Sequence, residues 1–228
     1  EHTILPGTWL IPLAGPANRQ GRVAAENMCG RDTTIESTEG TSIVKVFDMV
    51  AGGTGASEKQ LIAAGIPYLK VQTHPNSHAG YYPGARPIAM KVLFRKSDGR
   101  FLGAQAVGED GVDKRISALA MALQMGATIY DLEEAELCYA PQFGSAKDPV
   151  NFAGMIAADI LRGDMPVTHW DHAEDGFLLD VRAPTELAVE SVAGAMNIPL
   201  GQLRARLDEL PREREILTRI ARGASNKA

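Results

Sequence analysis

Two apolar runs, residues 88–95 and 101–108, stand either side of Ser97-Asp98-Gly99. Turn residues between two strand-like runs signal a hairpin, so the sheet of this chain contains an antiparallel pair. Residues 42–48 alternate with a period of two, and residues 68–73 read as a further strand. The clearest helix follows the hairpin. Across residues 111–125 the apolar positions 112, 116, 119, 120 and 123 share one face, and Gly126 ends it. Asp113, Lys114 and Arg115 in its first turn read as solvated charges. Antiparallel strands with separate helices predict an α+β domain.

The chain ahead of this unit is extended and apolar to Gly15, then helical over residues 16–28, with Pro16 in the first turn and Gly30 closing the end. The small backbone of Leu13-Ala14-Gly15 leads into that helix N-terminus. Two readings fit it: a tight packing corner, or a close approach for a planar ligand whose negative charge the helix dipole favours. Gly52-Gly53-Thr54-Gly55 lacks the spacing of a phosphate loop and reads as a turn. Ser57 and Gln60 form a capping box for a short helix ending at Gly65. His74 and His78 are four apart, but Pro75 and Gly80 break any helical face and no third ligand is evident, so no metal site is expected. Tyr81 and Tyr82 precede Pro83-Gly84, as a hydrophobic anchor or as part of a site. Thr128 and Asp131 cap another short helix.

That helix leads into Tyr139-Ala-Pro-Gln-Phe-Gly-Ser-Ala-Lys-Asp-Pro-Val-Asn151. The stretch holds a phenol, a rigid proline, two small residues, an ammonium and a carboxylate. Asp148 and Pro149 fit the N-cap and first position of the next helix, which runs to Gly163. Tyr139 and Lys147 would sit on a stiff segment at a helix N-terminus, where anions and ligands collect, or on a plain connector.

Residues 176–182 read as a buried strand, Pro184 as a helix start, 193–199 as a strand and 202–210 as a short amphipathic helix. This order suggests the start of a small α/β domain, followed by a polar tail. Net charge is −5 with no long basic tract, which disfavours nucleic acid. No apolar run approaches a membrane span, and no signal peptide is visible. Cys29 and Cys138 lie far apart outside any CxxC, as expected of reduced, mostly buried thiols in a cytoplasmic protein. The chain opens on Glu1 rather than Met and reads as a piece of a longer sequence.

An ordered set of motifs takes the reading further. Ile11-Pro-Leu-Ala-Gly-Pro-Ala-Asn-Arg-Gln-Gly-Arg22, Lys45-Val-Phe-Asp48, His78-Ala-Gly-Tyr-Tyr-Pro-Gly84, Leu102-Gly-Ala-Gln-Ala-Val-Gly108, Asp113-Lys-Arg115 and the 139–151 stretch occur in sequence. Together they resemble the C-terminal half of a flavin-dependent pyridine nucleotide–disulfide oxidoreductase, of the coenzyme A-disulfide reductase or persulfide reductase branch. Leu179-Asp-Val-Arg-Ala-Pro-Thr-Glu186 and Gly194-Ala-Met-Asn-Ile-Pro-Leu200 resemble the first half of a rhodanese domain. The resemblance implies an FAD-domain remnant over 1–41, a homodimerisation domain over 42–163, a partial rhodanese-like domain over 164–216 and a tail over 217–228.

It also implies roles. Tyr81 and Tyr139 match the residues each subunit lends to its partner's active site, where two phenols face a redox cysteine. Pro12, Leu13, Ala14 and Tyr139 match positions at the flavin. Asn18, Arg19 and Lys147 match the coenzyme A side, with Lys147 meeting a phosphate. FAD and NAD(P)H are the implied cofactors. An NADH oxidase or peroxidase parent, or a stand-alone dimerisation module, is the alternative. The family's redox cysteine and GxGxxG are absent from these residues, so the chain by itself is expected to be inactive. Gln142 stands where the family usually has a second proline, and Glu190-Ser-Val-Ala-Gly194 departs from the rhodanese pattern.

Overall fold

Alternation in the 88–94 run already places its side chains on two faces. Ile88, Met90, Val92 and Phe94 enter one core, while Leu93 enters another on the opposite face. The computed structural model describes residues 1–168 and 176–219. The chain divides into two units, Glu1–Met165 and Pro166–Ala228.

In the first unit a five-stranded antiparallel sheet has the order β1-β2-β5-β4-β3. Its strands are β1 (Ser42–Val46), β2 (Met49–Gly55), β3 (Leu69–Thr73), β4 (Ile88–Phe94) and β5 (Phe101–Gly108). The β4–β5 hairpin is the one expected from Ser97-Asp98-Gly99. A bulge between Leu93 and Phe94 pairs Phe94 with Phe101 but Leu93 with Gly103. That extra residue lets Phe101 and Ala104 share one core while Leu102 faces the other.

Helices α3 (Val112–Gln124) and α5 (Pro149–Arg162) cover the larger core, with α4 (Ile129–Glu133) beside α5. Val112, Ile116, Leu119 and Leu123 of α3 are buried there, as their spacing predicts. The opposite face is closed by Leu5 and by Leu61 of α2 (Glu58–Ala63) over Leu93 and Leu102. The capping boxes at Ser57–Gln60, Thr128–Asp131 and Asp148–Asn151 all form.

Four features of the first unit differ from the sequence expectation. Gly52-Gly53-Thr54-Gly55 is strand, not turn, because α3 lies against β2. A Cβ on Gly52 would stand 3.0 Å from Ile116 Cγ1, so the glycines serve close packing. The first strand stops at Val46, and Phe47-Asp48 makes a two-residue loop in which Phe47 holds φ 52°, a position usually given to glycine. Arg115 is not a solvated charge: it is among the largest fully buried side chains. Cys29 and Cys138 are exposed rather than buried. Cys29 caps the end of α1 (Ala14–Met28), a helix with no buried residue at all.

The second unit holds a parallel sheet in the order β7-β6-β8, from β6 (Phe177–Asp180), β7 (Met196–Asn197) and β8 (Ile216–Arg219). Leu179, Val181 and Ile198 form its small core, and Arg182 pairs with the buried Asp180 at 2.6 Å. Helix α6 (Pro184–Leu187) begins at the expected proline. The helix expected over 202–210 is instead α7 (Leu200–Leu203) and a separate 3-10 turn at Leu207–Glu209. Residues 217–219 of the expected tail lie in β8, and 220–228 fall outside the described residues.

Candidate functional site

Tyr81 rides on the connection between β3 and β4. Its base is closed like a ladder: Ser77 N donates to Arg86 O at 2.7 Å, Arg86 N to Ser77 Oγ at 3.2 Å, and Ile88 N to Pro75 O at 2.8 Å. Tyr82 turns back, its N donating to Ala79 O at 2.9 Å and its ring meeting the edge of buried His78 at 5.7 Å between centroids.

Tyr139 arrives from the other side. Asn151 anchors its approach, with Nδ2 donating to Leu132 O, Glu133 O and Ala135 O at 3.2, 3.3 and 2.8 Å. Beyond Tyr139, Phe143 N and Gly144 N both donate to Ala140 O, which folds the chain into a turn. Lys114 Nζ donates to Phe143 O from α3. The two segments are then stitched directly, as Ala79 N donates to Gly144 O at 2.9 Å and to Pro141 O at 3.3 Å.

The result is a pair of phenols with Tyr81 Oη 3.1 Å from Tyr139 Oη. Both residues are open to solvent, 77% and 49% exposed, so Tyr81 is no hydrophobic anchor within this chain, while Tyr82 packs on His78. The hydrogen bond to Tyr139 holds the Tyr81 phenol above the ordinary tyrosine value.

Among the described contacts, no hydrogen bond joins the other expected site residues to this pair. Leu13 is the uncapped N-cap of α1; Pro12 and Ala14 are exposed beside it. Asn18 Nδ2 donates to Ala14 O at 2.9 Å on the same helix, and Arg19 is exposed. Lys147 is exposed next to the buried Asp148. Among the described residues, no three His, Cys, Asp or Glu side chains are grouped to hold a metal ion, and no helix is long and apolar enough to cross a membrane.

What the sequence reading missed is the support beneath the tyrosines: Arg115, Ser77 and Asn151, with Asp148 acting as more than a cap. Arg115 Nη2 donates to Ser77 O at 2.7 Å and to Asp148 Oδ2 at 2.8 Å. A signal was present, since residue 115 falls between Val112, Ile116 and Leu119 on the buried stripe.

This architecture has a counterpart among known families. Residues 41–148 match the model of the pyridine nucleotide–disulphide oxidoreductase dimerisation domain. These residues form a dimerisation domain of that type. It contains Tyr81 and Tyr139 together with Arg115 and Asp148. The chain is 37% identical over 158 residues to a coenzyme A disulfide reductase of Staphylococcus epidermidis, a match covering 69% of this chain and 35% of that protein. A crystal structure of reduced Bacillus anthracis CoADR-RHD superposes with a TM-score of 0.91 at 43% identity, over 96% of this chain and 40% of that one. A NAD-dependent persulfide reductase from A. fulgidus gives 0.84 at 36% identity, over 92% and 38%. The chain therefore spans 35% to 40% of the length of these relatives.

Proposed function

We propose that this chain is the dimerisation-domain part of an NAD(P)H- and FAD-dependent reductase of disulfides or persulfides, with a coenzyme A thiol as substrate class. The observation that carries the reading is the Tyr81–Tyr139 pair, two phenol oxygens 3.1 Å apart and open to solvent on a domain that matches a dimerisation family. Paired with a second copy, they would face a redox sulfur on the partner subunit. A neutral phenol donates to a developing thiolate and stabilises it. The names of the relatives support the substrate class.

The N-terminus of α1 fits a flavin. Its first turn carries no acidic residue and no side-chain cap, and a Cβ on Gly15 would meet no atom within 4 Å. Pro12, Leu13 and Ala14 would lie along the ring, and the helix dipole would favour negative charge there. A bound flavin supplies the two-electron transfer between nicotinamide and sulfur. Lys147, exposed at the start of α5, would meet a coenzyme A phosphate, with Asn18 and Arg19 on the same substrate. The parallel three-stranded sheet of the second unit supports a rhodanese-like segment over 164–216.

The test is NADH- and NADPH-dependent reduction of coenzyme A disulfide and persulfide by the full-length protein containing this chain, beside oxygen consumption. Turnover of the sulfur substrates that falls in Tyr81→Phe and Tyr139→Phe, with weaker coenzyme A binding in Lys147→Ala, supports the reading. Oxygen as the preferred acceptor would move it to the NADH oxidase class. Absence of any flavin in a dimeric protein would favour a stand-alone dimerisation module.

A further inference from the structure

We propose that Arg115 is the positioning residue of the tyrosine pair: its buried guanidinium fixes the separation of Tyr81 and Tyr139 by clamping the two segments that carry them. The catalytic consequence rests on the active-site reading given above; the geometric one does not. Arg115 is 1% exposed. Its Nη2 donates to Ser77 O at 2.7 Å, at the stem of the Tyr81 loop. Its Nε and Nη2 meet Asp148 Oδ1 and Oδ2 at 2.8–3.2 Å, at the close of the Tyr139 segment. Its Nη1 donates to Gly111 O at 3.1 Å, tying the fork to the start of its own helix.

The surroundings are shaped for this group. Gly111 adopts φ 70°, and a Cβ there would overlap Arg115 Nη1. Asp148 is oriented in turn, since its Oδ1 accepts from Val150 N at 3.1 Å and its own N donates to Asn151 Oδ1 at 3.2 Å. A buried ion pair is weak evidence for stability, because apolar residues of similar volume often fill such a site equally well. A planar fork does what they cannot: it joins a carboxylate and two carbonyls from three chain segments in one fixed geometry. Lysine keeps the charge but has no rigid fork.

The test uses the full-length protein containing this chain, labelled with 3-fluorotyrosine and observed by fluorine NMR. The Tyr81 resonance is assigned by its loss in Tyr81→Phe. With the parent residue at 115, Tyr139→Phe should move the Tyr81 resonance, because it removes the partner hydroxyl. With Arg115→Lys, the resonance should already be displaced and Tyr139→Phe should move it no further. The kcat for the sulfur substrate should fall by roughly 100-fold, the cost of misplacing a reacting group by about 1 Å, while KM for the nicotinamide cofactor stays unchanged. A Tyr81 resonance that still responds to Tyr139→Phe as in the parent would overturn the proposal, whatever the thermal stability does. If Arg115→Lys does not fold, Asp148→Asn retains a cap oxygen, removes the countercharge and is judged by the same response. Full kcat in both Tyr→Phe variants would overturn the active-site reading instead, while the NMR response still decides whether Arg115 sets the pair.

Discussion

Tyr81 and Tyr139 share a hydrogen bond across 58 positions of sequence, between two segments that the backbone of Ala79 and the buried guanidinium of Arg115 also join. The contact favours the neutral form of Tyr81. Tyr139→Phe should therefore lower the pH at which Tyr81 ionises, back towards the ordinary value near 10. The stabilisation from the contact is fully present below that ordinary value and is lost as pH rises through the raised one. Ultraviolet titration of the phenolates in parent and variant checks the shift; an unchanged or higher midpoint would refute it.

Glu58 gathers three donors on one carboxylate: Tyr68 Oη at 2.8 Å, Lys70 Nζ at 2.9 Å and Lys91 Nζ at 2.9 Å. The Lys70 hydrogen bond chiefly, with Lys91 and Tyr68, holds it at about 2 against the opposing pull of burial. A depressed carboxylate stabilises the fold above its unfolded value near 4.5 and loses that contribution as pH falls towards 2. Glu58→Gln should cost about 1 kcal/mol at neutral pH. The gap in thermal midpoint between parent and variant should narrow below pH 4.5; a constant gap would contradict the assignment.

Asn151 presents its amide nitrogen to three carbonyls and its oxygen to Asp148 N. Asn151→Ala should cost about 2 kcal/mol through unsatisfied buried groups. Asn151→Asp should cost more, since it points a second acceptor, bearing charge, at three carbonyls. Denaturant unfolding of both variants orders the two costs; a milder Asp variant would show that the carbonyls do not need this donor.

Gly103 in β5 faces Ala56, whose carbonyl a Cβ would overlap. Gly53, on the neighbouring strand, would place a Cβ no closer than 3.4 Å to Ala104 O. Gly103→Ala should destabilise by about 3 kcal/mol and Gly53→Ala by less than about 1 kcal/mol. Equal denaturation midpoints for the two variants would place the close approach elsewhere.

Local chemistry made much of the fold legible. The hairpin at Ser97-Asp98-Gly99, the stripe of α3 and the caps at Ser57, Thr128 and Asp148 depend on neighbours within four residues or on a simple period. Gly52 and Gly53 were misread because turn chemistry and close packing use the same residue, and only the position of Ile116 separates the two. Arg115 was misread by residue type, although its place on the stripe pointed inward. The exposed Cys29 shows the same limit from the other side, since α1 buries no residue and gives a thiol nothing to hide against. Family resemblance singled out Tyr81 and Tyr139 one by one, but their mutual contact depends on long-range stitching that no local pattern encodes.

The reach of Arg115 also orders events during synthesis. Its contacts run back 38 positions to Ser77 and forward 33 to Asp148, so two long loops must close before the guanidinium is satisfied. As the chain leaves the ribosome, α3 emerges with this charge well before its counterion exists. Burying it unpaired is strongly unfavourable, so that end of the helix is expected to stay in water until residue 148 arrives. The tyrosine pair would thus be a late feature of the nascent domain, assembled once the whole 77–148 segment has been made and joined.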